Sequence, residues 1–255
     1  MATMTESETT RRYLSRLRLN LRSRDVRKDI ANSQALHRRL LDAFPDATTR
    51  AGVDLLYRLE ARDDNQFPDY VILVQSSAKP DWSRLNAGYL RDESSSFGWP
   101  DDGQADVKEV SANFARISPG DQLRFRLRAN PTKKYHYREG DVDENGTPRR
   151  PTGPNGTRIP LFDDAELHEW IQRKAEQHGF RVLGARWQPD PVTGDRQRGE
   201  KVNDTRLVHY AVLFDGLLDV TEVDRFKDAL ASGIGPAKAY GFGLLSLAPV
   251  LATTQ

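Results

Sequence analysis

No cysteine occurs among the 255 residues. That absence excludes a disulfide framework, a thiolate zinc site and a cysteine nucleophile, and it suits a reducing, cytoplasmic location. Long apolar runs are missing too. No stretch reaches the roughly 18 consecutive apolar residues that a membrane-spanning helix needs, so no membrane association is expected. Met1 to Thr10 lack the apolar core of a secretory signal and read as a polar, disordered tail. There is little histidine: His37, His136, His168, His178 and His209 are the five. No two of them stand at helical metal-ligand spacing with a carboxylate partner, so neither a catalytic metal nor a cofactor is expected.

An excess of one charge sign is also lacking, with 38 Lys and Arg against 37 Asp and Glu. The balance conceals polarity along the chain. Residues 11–39 carry ten basic side chains against two acidic ones, and residues 122–138 carry six against none. Residues 53–109 reverse this, with twelve acidic and six basic. Clustered arginine on a near-neutral chain suits an anionic partner on one face, and it equally suits solvated surface.

Hydrophobic periodicity supplies the element order. Tyr13 to Asn20 reads as a strand, followed by a basic turn. Asn32 or Ser33 offers an N-cap for a helix whose stripe Leu36, Leu40, Phe44 recurs every four residues up to Pro45. Val53 to Glu60 and Tyr70 to Gln75 read as strands, Pro80 to Trp82 as a short helix or turn, and residues 88–108 as a long loop. Leu123 to Arg128 alternates strictly, so Leu123, Phe125 and Leu127 face a core while Arg124, Arg126 and Arg128 share a face that must meet solvent or an anion. Residues 138–157 are rich in Gly, Pro and charge and read as a linker. The pattern then restarts. A strand begins at Arg158, a helix capped by Asp163 carries Leu167, Trp170 and Ile171, and Phe180 to Trp187 is a strand. Residues 188–204 form a polar hairpin or loop. Leu207 to Phe214 and Leu217 to Val220 are strands about a turn at Asp215-Gly216. A helix over 221–231 and a strand over 244–247 close the chain.

These readings predict an α+β protein. Residues 1–10 are a tail, 11–137 an N-terminal domain, 138–157 a linker and 158–255 a C-terminal domain. Each domain approximates strand–helix–strand–strand–helix–strand, the ferredoxin-like (RRM-like) plan.

Between the last helix and the last strand lies Gly233-Ile-Gly-Pro-Ala-Lys238-Ala-Tyr-Gly241-Phe-Gly243. It fits neither a GxxxxGK[ST] phosphate loop nor a dinucleotide fingerprint, because Lys238 stands where the third glycine belongs and a helix precedes it. Four glycines and one lysine remain, able to bring backbone and a positive charge close to a phosphate, or simply to make a tight turn.

The segment GIGPAKAYGFGLLSLAP resembles the C-terminal signature of CRISPR repeat-processing endoribonucleases of the type I-E branch, the CasE family. YLSRLRLN resembles that family's first strand, DIANSQALHRRLLDAFP its first helix with the histidine in register, and LRFRLRANPTKK its central strand and following basic turn. QSSAKPDW and VLFDGLLDV agree more weakly. Together these stretches run in order over residues 13–249.

The resemblance implies two tandem ferredoxin-like domains with an RNA-binding groove between them. It further implies cleavage of precursor CRISPR RNA at the 3′ base of the repeat stem-loop. The mature crRNA would then be retained by a subunit of the Cascade surveillance complex, with a monomer expected outside that complex. Metal-free cleavage uses the ribose 2′-OH as nucleophile and leaves a 2′,3′-cyclic phosphate and a 5′-OH. His37 is the implied catalytic residue. Family members often carry tyrosine three residues earlier, where this chain has Gln34, which cannot act as a base near neutral pH. Gln34, Tyr13 and Lys238 are therefore the candidates to assist. Candidate RNA-binding residues are Arg24, Arg27, Lys28, Arg38, Arg128, Lys133, Lys134, Arg196, Arg198, Lys201 and Lys238. Two other classes of function fit the same residues. One is a catalytically weak or inactive RNA-binding subunit of the same complex, and the other is a ferredoxin-like interaction protein with no nucleic-acid role.

Overall fold

The computed structural model describes residues 11–47, 49–62, 69–91, 105–143, 145–148, 156–190 and 209–250. The alternation at the start of the chain becomes strand β1 (Tyr13–Arg18). The basic segment after it is a helix, α1 (Arg24–Ile30), where a turn is predicted. One apolar residue, Val26, is buried on this short helix, too little periodicity for a sequence pattern to register. Helix α2 (Ser33–Leu41) starts as predicted. The Asn32 side chain accepts hydrogen bonds from the backbone N–H of Gln34 and Ala35, satisfying two of the helix's unpaired donors. Leu36 and Leu40 are fully buried beneath it.

Strands β2 (Leu56–Arg62) and β3 (Asp69–Ser76) follow. Strand β4 (Ala105–Glu109) lies at the end of the stretch predicted as a long loop. It pairs antiparallel with β1, Leu17 facing Ala105, and Arg16 reaches Asp106 with a buried ion pair. The first sheet has order β2-β3-β1-β4, and Leu17, Leu36, Leu40, Tyr57, Leu59, Ile72 and Val74 lie in its core.

Past the short helix α3 (Ser111–Ala115), strand β5 (Gln122–Ala129) belongs to the second sheet. It pairs with β9 (Val212–Val220) and β10 (Leu245–Pro249), and β8 (Phe180–Pro189) completes the order β10-β5-β9-β8. The predicted domain boundary at residue 137 therefore moves back to the segment between β4 and β5. Residues 157–160, read as the second domain's first strand, are strand β7 (Thr157–Pro160). It forms a side hairpin with β6 (Thr132–Tyr135). Both sheets then have the ferredoxin-like order, with the first and third strands central. Between β5 and β8 the chain crosses through helix α4 (Asp164–Gln177), capped as predicted by Asp163. Between β9 and β10 it crosses through α5 (Val223–Ser232).

The turn predicted at Asp215-Gly216 is absent, since both residues lie inside β9. A Cβ on Gly216 would collide with the Gly184 carbonyl oxygen, and it would stand 2.8 Å from the Phe125 ring. The glycine marks a close approach at the β8 bulge between Val182 and Gly184, not a chain reversal.

The two sheets are tied by polar contacts. Gln75 Nε2 donates to the Leu230 carbonyl at 2.6 Å. Arg58, 2% exposed, pairs with Glu60 at 2.8 Å and donates to the carbonyls of Leu244 (3.2 Å) and Arg126 (3.3 Å). No described helix is long and apolar enough to cross a membrane.

Candidate active site

His37 sits in the middle of α2, beside Leu36 of the buried stripe, and is half-buried at the join between the two halves. Its ring stacks on Tyr57 of β2, centroids 6.3 Å apart and planes 19° apart. The Tyr57 hydroxyl lies 3.2 Å from two carbonyl oxygens, Ser33 in the first turn of α2 and Ala239 in the glycine segment, and it can donate to either. One buried side chain thus joins the histidine helix to the loop that carries Lys238.

The glycine segment folds as a tight connection whose Lys238–Tyr240 turn packs on α2. Ile234 N–H donates to the Gly243 carbonyl, and Gly243 N–H donates to Arg128, which closes the loop onto β5. Gly241 has φ +83°, and a Cβ there would stand 2.9 Å from the Tyr57 ring. Its glycine is required twice over, by the backbone angle and by the tyrosine. Behind the loop, His209 is ordered by Asn130 (3.2 Å) and by the rings of Tyr240 and Phe242.

His37 Nδ1 is buried without a hydrogen-bond partner among the described residues. Burial pushes the imidazole below its ordinary value of 6.5, and the Arg50 guanidinium lowers it further. Lys238 is lowered as well, by burial first and then by Arg50 and Lys174. Arg50 therefore lies within electrostatic reach of both. It stands at the start of a single 3-10 turn (Arg50–Val53) and donates to the Leu55 carbonyl at 3.3 Å. An imidazole and an ammonium, both lowered by burial, thus lie on two elements that pack together, within electrostatic reach of one guanidinium. Such a set can accept a proton, donate one, and stabilise developing negative charge.

The predicted site residues fall into several groups. The elements that carry His37 and Lys238 pack together. Gln34 is exposed on the first turn of α2, one turn before His37. Tyr13 is buried in β1 opposite Ser76 and Glu109, and the ring that stacks on His37 belongs to Tyr57 instead. Arg24, Lys28 and Arg38 are exposed, while Arg27 spends one guanidinium nitrogen on the carbonyls of Leu21 and Arg22. Lys133 and Lys134 are exposed on β6, Lys133 paired with Glu166. Arg196, Arg198 and Lys201 lie outside the described residues.

Arg128 departs from the predicted RNA-facing role. It is 1% exposed, bound to Asp190 at 2.7 Å and laid over the Phe242 ring. Arg126 likewise meets Asp215 (2.7 Å) and Glu60 (3.8 Å). The anion that the arginine face requires is supplied largely by the protein's own carboxylates, and Arg124 is the exposed member. Sequence reasoning missed Arg50, which no motif surrounds, and took Tyr57 as an ordinary strand residue. It also assigned no role to His178, whereas that side chain lines a basic cavity with Lys238. Among the described residues, no group of three His, Cys, Asp or Glu side chains is placed to hold a metal ion.

A family model described as CRISPR associated protein matches residues 12–249. The CRISPR-associated endoribonuclease Cse3 of Thermus thermophilus is 34% identical over 244 residues, 93% of this chain and all of that protein. The CRISPR system Cascade subunit CasE of Escherichia coli is 34% identical over 148 residues, 56% of this chain and 66% of that protein. The solved structure of Thermus thermophilus Cse3 bound to an RNA representing a pre-cleavage complex superposes with a TM-score of 0.69. It is 34% identical, covering 94% of this chain and all of that one.

Proposed function

Because the chain belongs to the CRISPR-associated protein family, in its type I-E endoribonuclease branch, we propose that it cuts CRISPR repeat RNA and remains on the product as a Cascade subunit. The relatives that carry this reading are an endoribonuclease, a Cascade subunit and an RNA-bound pre-cleavage complex. The observation in this chain that supports it is the packing of the His37 helix on the turn that carries Lys238, with Arg50 within electrostatic reach of both side chains. The substrate is the repeat stem-loop, cut at the 3′ base of its stem in the cytoplasm where it is transcribed.

His37, held neutral by burial and by Arg50, is the base. With Nδ1 enclosed, Nε2 is the nitrogen left to take the proton from the ribose 2′-OH. The 2′-oxygen attacks the adjacent phosphorus, and the bond from phosphorus to the 5′-oxygen breaks. Lys238, lowered by burial and by its cationic neighbours, gives the departing 5′-oxygen its proton. Arg50 stabilises the charge that builds on the non-bridging oxygens. The products are a 2′,3′-cyclic phosphate and a 5′-hydroxyl, and both side chains recover through exchange with solvent. Each proton and bond is accounted for by the chain's own side chains, so the reaction runs without metal. Gln34, exposed one turn away, contacts RNA rather than moving a proton.

The test is single-turnover cleavage of a repeat stem-loop in EDTA, with the ends of the fragments identified. Cleavage to cyclic phosphate and 5′-hydroxyl ends is expected. RNA that binds but stays intact under saturating protein would instead fit a non-catalytic RNA-binding subunit.

A further inference from the structure

A basic concavity is lined by residues other than His37. It lies between α4, the β6–β7 hairpin and the glycine segment, has a volume of about 700 Å³, and shares Lys238 with the catalytic cluster. Its walls carry Lys134, Arg158, Arg173, Lys174 and His178 as well, and no Asp or Glu lines it. Lys133, also in the wall, is engaged by Glu166 from outside.

Among the described residues that line the cavity, no carboxylate balances this charge. Lys174 is lowered by burial, then by Arg173 and Arg158. His178 is lowered by burial, then by Lys174 and Lys238. The Lys174 ammonium donates to the neutral Gln177 Oε1 at 2.8 Å, and Arg158 donates to the Thr132 hydroxyl at 3.4 Å. Like charges gathered in a partly desolvated recess disfavour one another, and an anion of matching size relieves that repulsion. The energetic sense of the cluster is attraction for an anion.

We propose that this cavity binds backbone phosphates of the RNA strand that passes Lys238, on one side of the cut, with Arg173 and Lys174 of α4 as its principal contacts. The inference rests on the endoribonuclease reading and extends it to residues that lie away from the reacting atoms. An RNA backbone is favoured over a free phosphate because the recess is open, elongated across three elements, and continuous with the catalytic cluster through Lys238. Phosphate contacts of this kind fix the register of the strand without reading bases.

The experiment compares the wild-type protein with the Arg173→Ala/Lys174→Ala variant, measuring binding of a non-cleavable repeat stem-loop over a series of salt concentrations. At about 0.1 M salt the dissociation constant is expected to rise at least about tenfold. The slope of log affinity against log salt should become shallower by about two, one for each lost phosphate contact. Arg173→Lys/Lys174→Arg should return both values close to wild type. An unchanged constant and slope would overturn the proposal, and so would a weaker constant with an unchanged slope, which would signal lost packing instead of lost phosphate contacts. Displacement of the RNA by millimolar inorganic phosphate at constant ionic strength would also overturn it, by assigning the site to the free anion. Thermal unfolding of the variant guards against misfolding. If the wild-type protein itself neither binds nor cuts repeat RNA, the functional reading fails. If wild type cuts and the variant binds like it, only the cavity assignment fails.

Discussion

At the scale of single residues, the imidazole of His37 decides most of what can be measured. Replacing it with alanine removes the proposed base but leaves the exposed cations in place. His37→Ala should hold repeat RNA as wild type does while cleaving roughly 10²–10⁴-fold more slowly, as the loss of one general base typically costs. Single-turnover rates beside equilibrium binding check this, and cleavage at the wild-type rate would refute the assignment. The neutral ring is the working form, so activity is full above its pKa and falls as pH drops through it. Burial and Arg50 both lower that pKa from 6.5, which puts the midpoint of the acidic limb below 6.5. Arg50→Ala removes the repelling cation, and the midpoint should move upward. The move covers only part of the total shift, because burial is the larger cause. A pH–rate profile of the variant that moves downward, or not at all, would contradict the placement of Arg50 beside His37.

At the scale of elements, the join between α2 and the glycine segment depends on the Tyr57 ring fitting where Gly241 has no side chain. Gly241→Ala is expected to cost about 1–2 kcal/mol for the left-handed backbone alone. It should also slow cleavage, because the ring that orders both Ser33 and Ala239 must shift. Gly120→Ala is the matched control. Its φ of +84° carries the same penalty, nothing lies within 4 Å of its Cβ, and it stands in the turn before β5. Denaturation should report a loss in both variants, larger for Gly241→Ala by the cost of moving the tyrosine, and cleavage a loss only in Gly241→Ala. These elements were unequally legible in the sequence. The α2 stripe, the Asn32 and Asp163 caps and the β5 alternation announce themselves by local periodicity and capping chemistry. The partner of β5 does not, because register across more than eighty residues leaves no local trace, and so the strand was placed in the wrong half. The same reason hid Arg50 and Tyr57, whose importance comes from what folds against them. Arg128 misled for a related cause: alternation shows which face a side chain takes, and cannot show that Asp190 and Phe242 cover that face.

At the scale of the whole molecule, the two ferredoxin-like sheets are held as one body by Arg58 and Gln75 as well as by apolar packing. Arg58→Met removes the guanidinium that bridges Glu60 to the carbonyls of Leu244 and Arg126, leaving a largely buried carboxylate without its main partner. The cost should be roughly 3–5 kcal/mol. Chemical denaturation of the variant reads that cost, and a loss under about 1 kcal/mol would mean that the bridge contributes little to holding the halves together. The closing strand has a consequence of its own. β10 is the last described strand and zips against β5, laid down more than a hundred residues earlier, and that pairing joins the Gly243–Arg128 and Arg58–Leu244 hydrogen bonds in anchoring the far end of the glycine segment. During translation the His37 helix and its sheet emerge early, while the loop that carries Lys238 gains its anchor on β5 after β10 has left the ribosome. A chain that lacks β10 would therefore display cationic helices beside a loosened glycine segment, so cutting is expected to depend on the pairing of two strands far apart in the sequence.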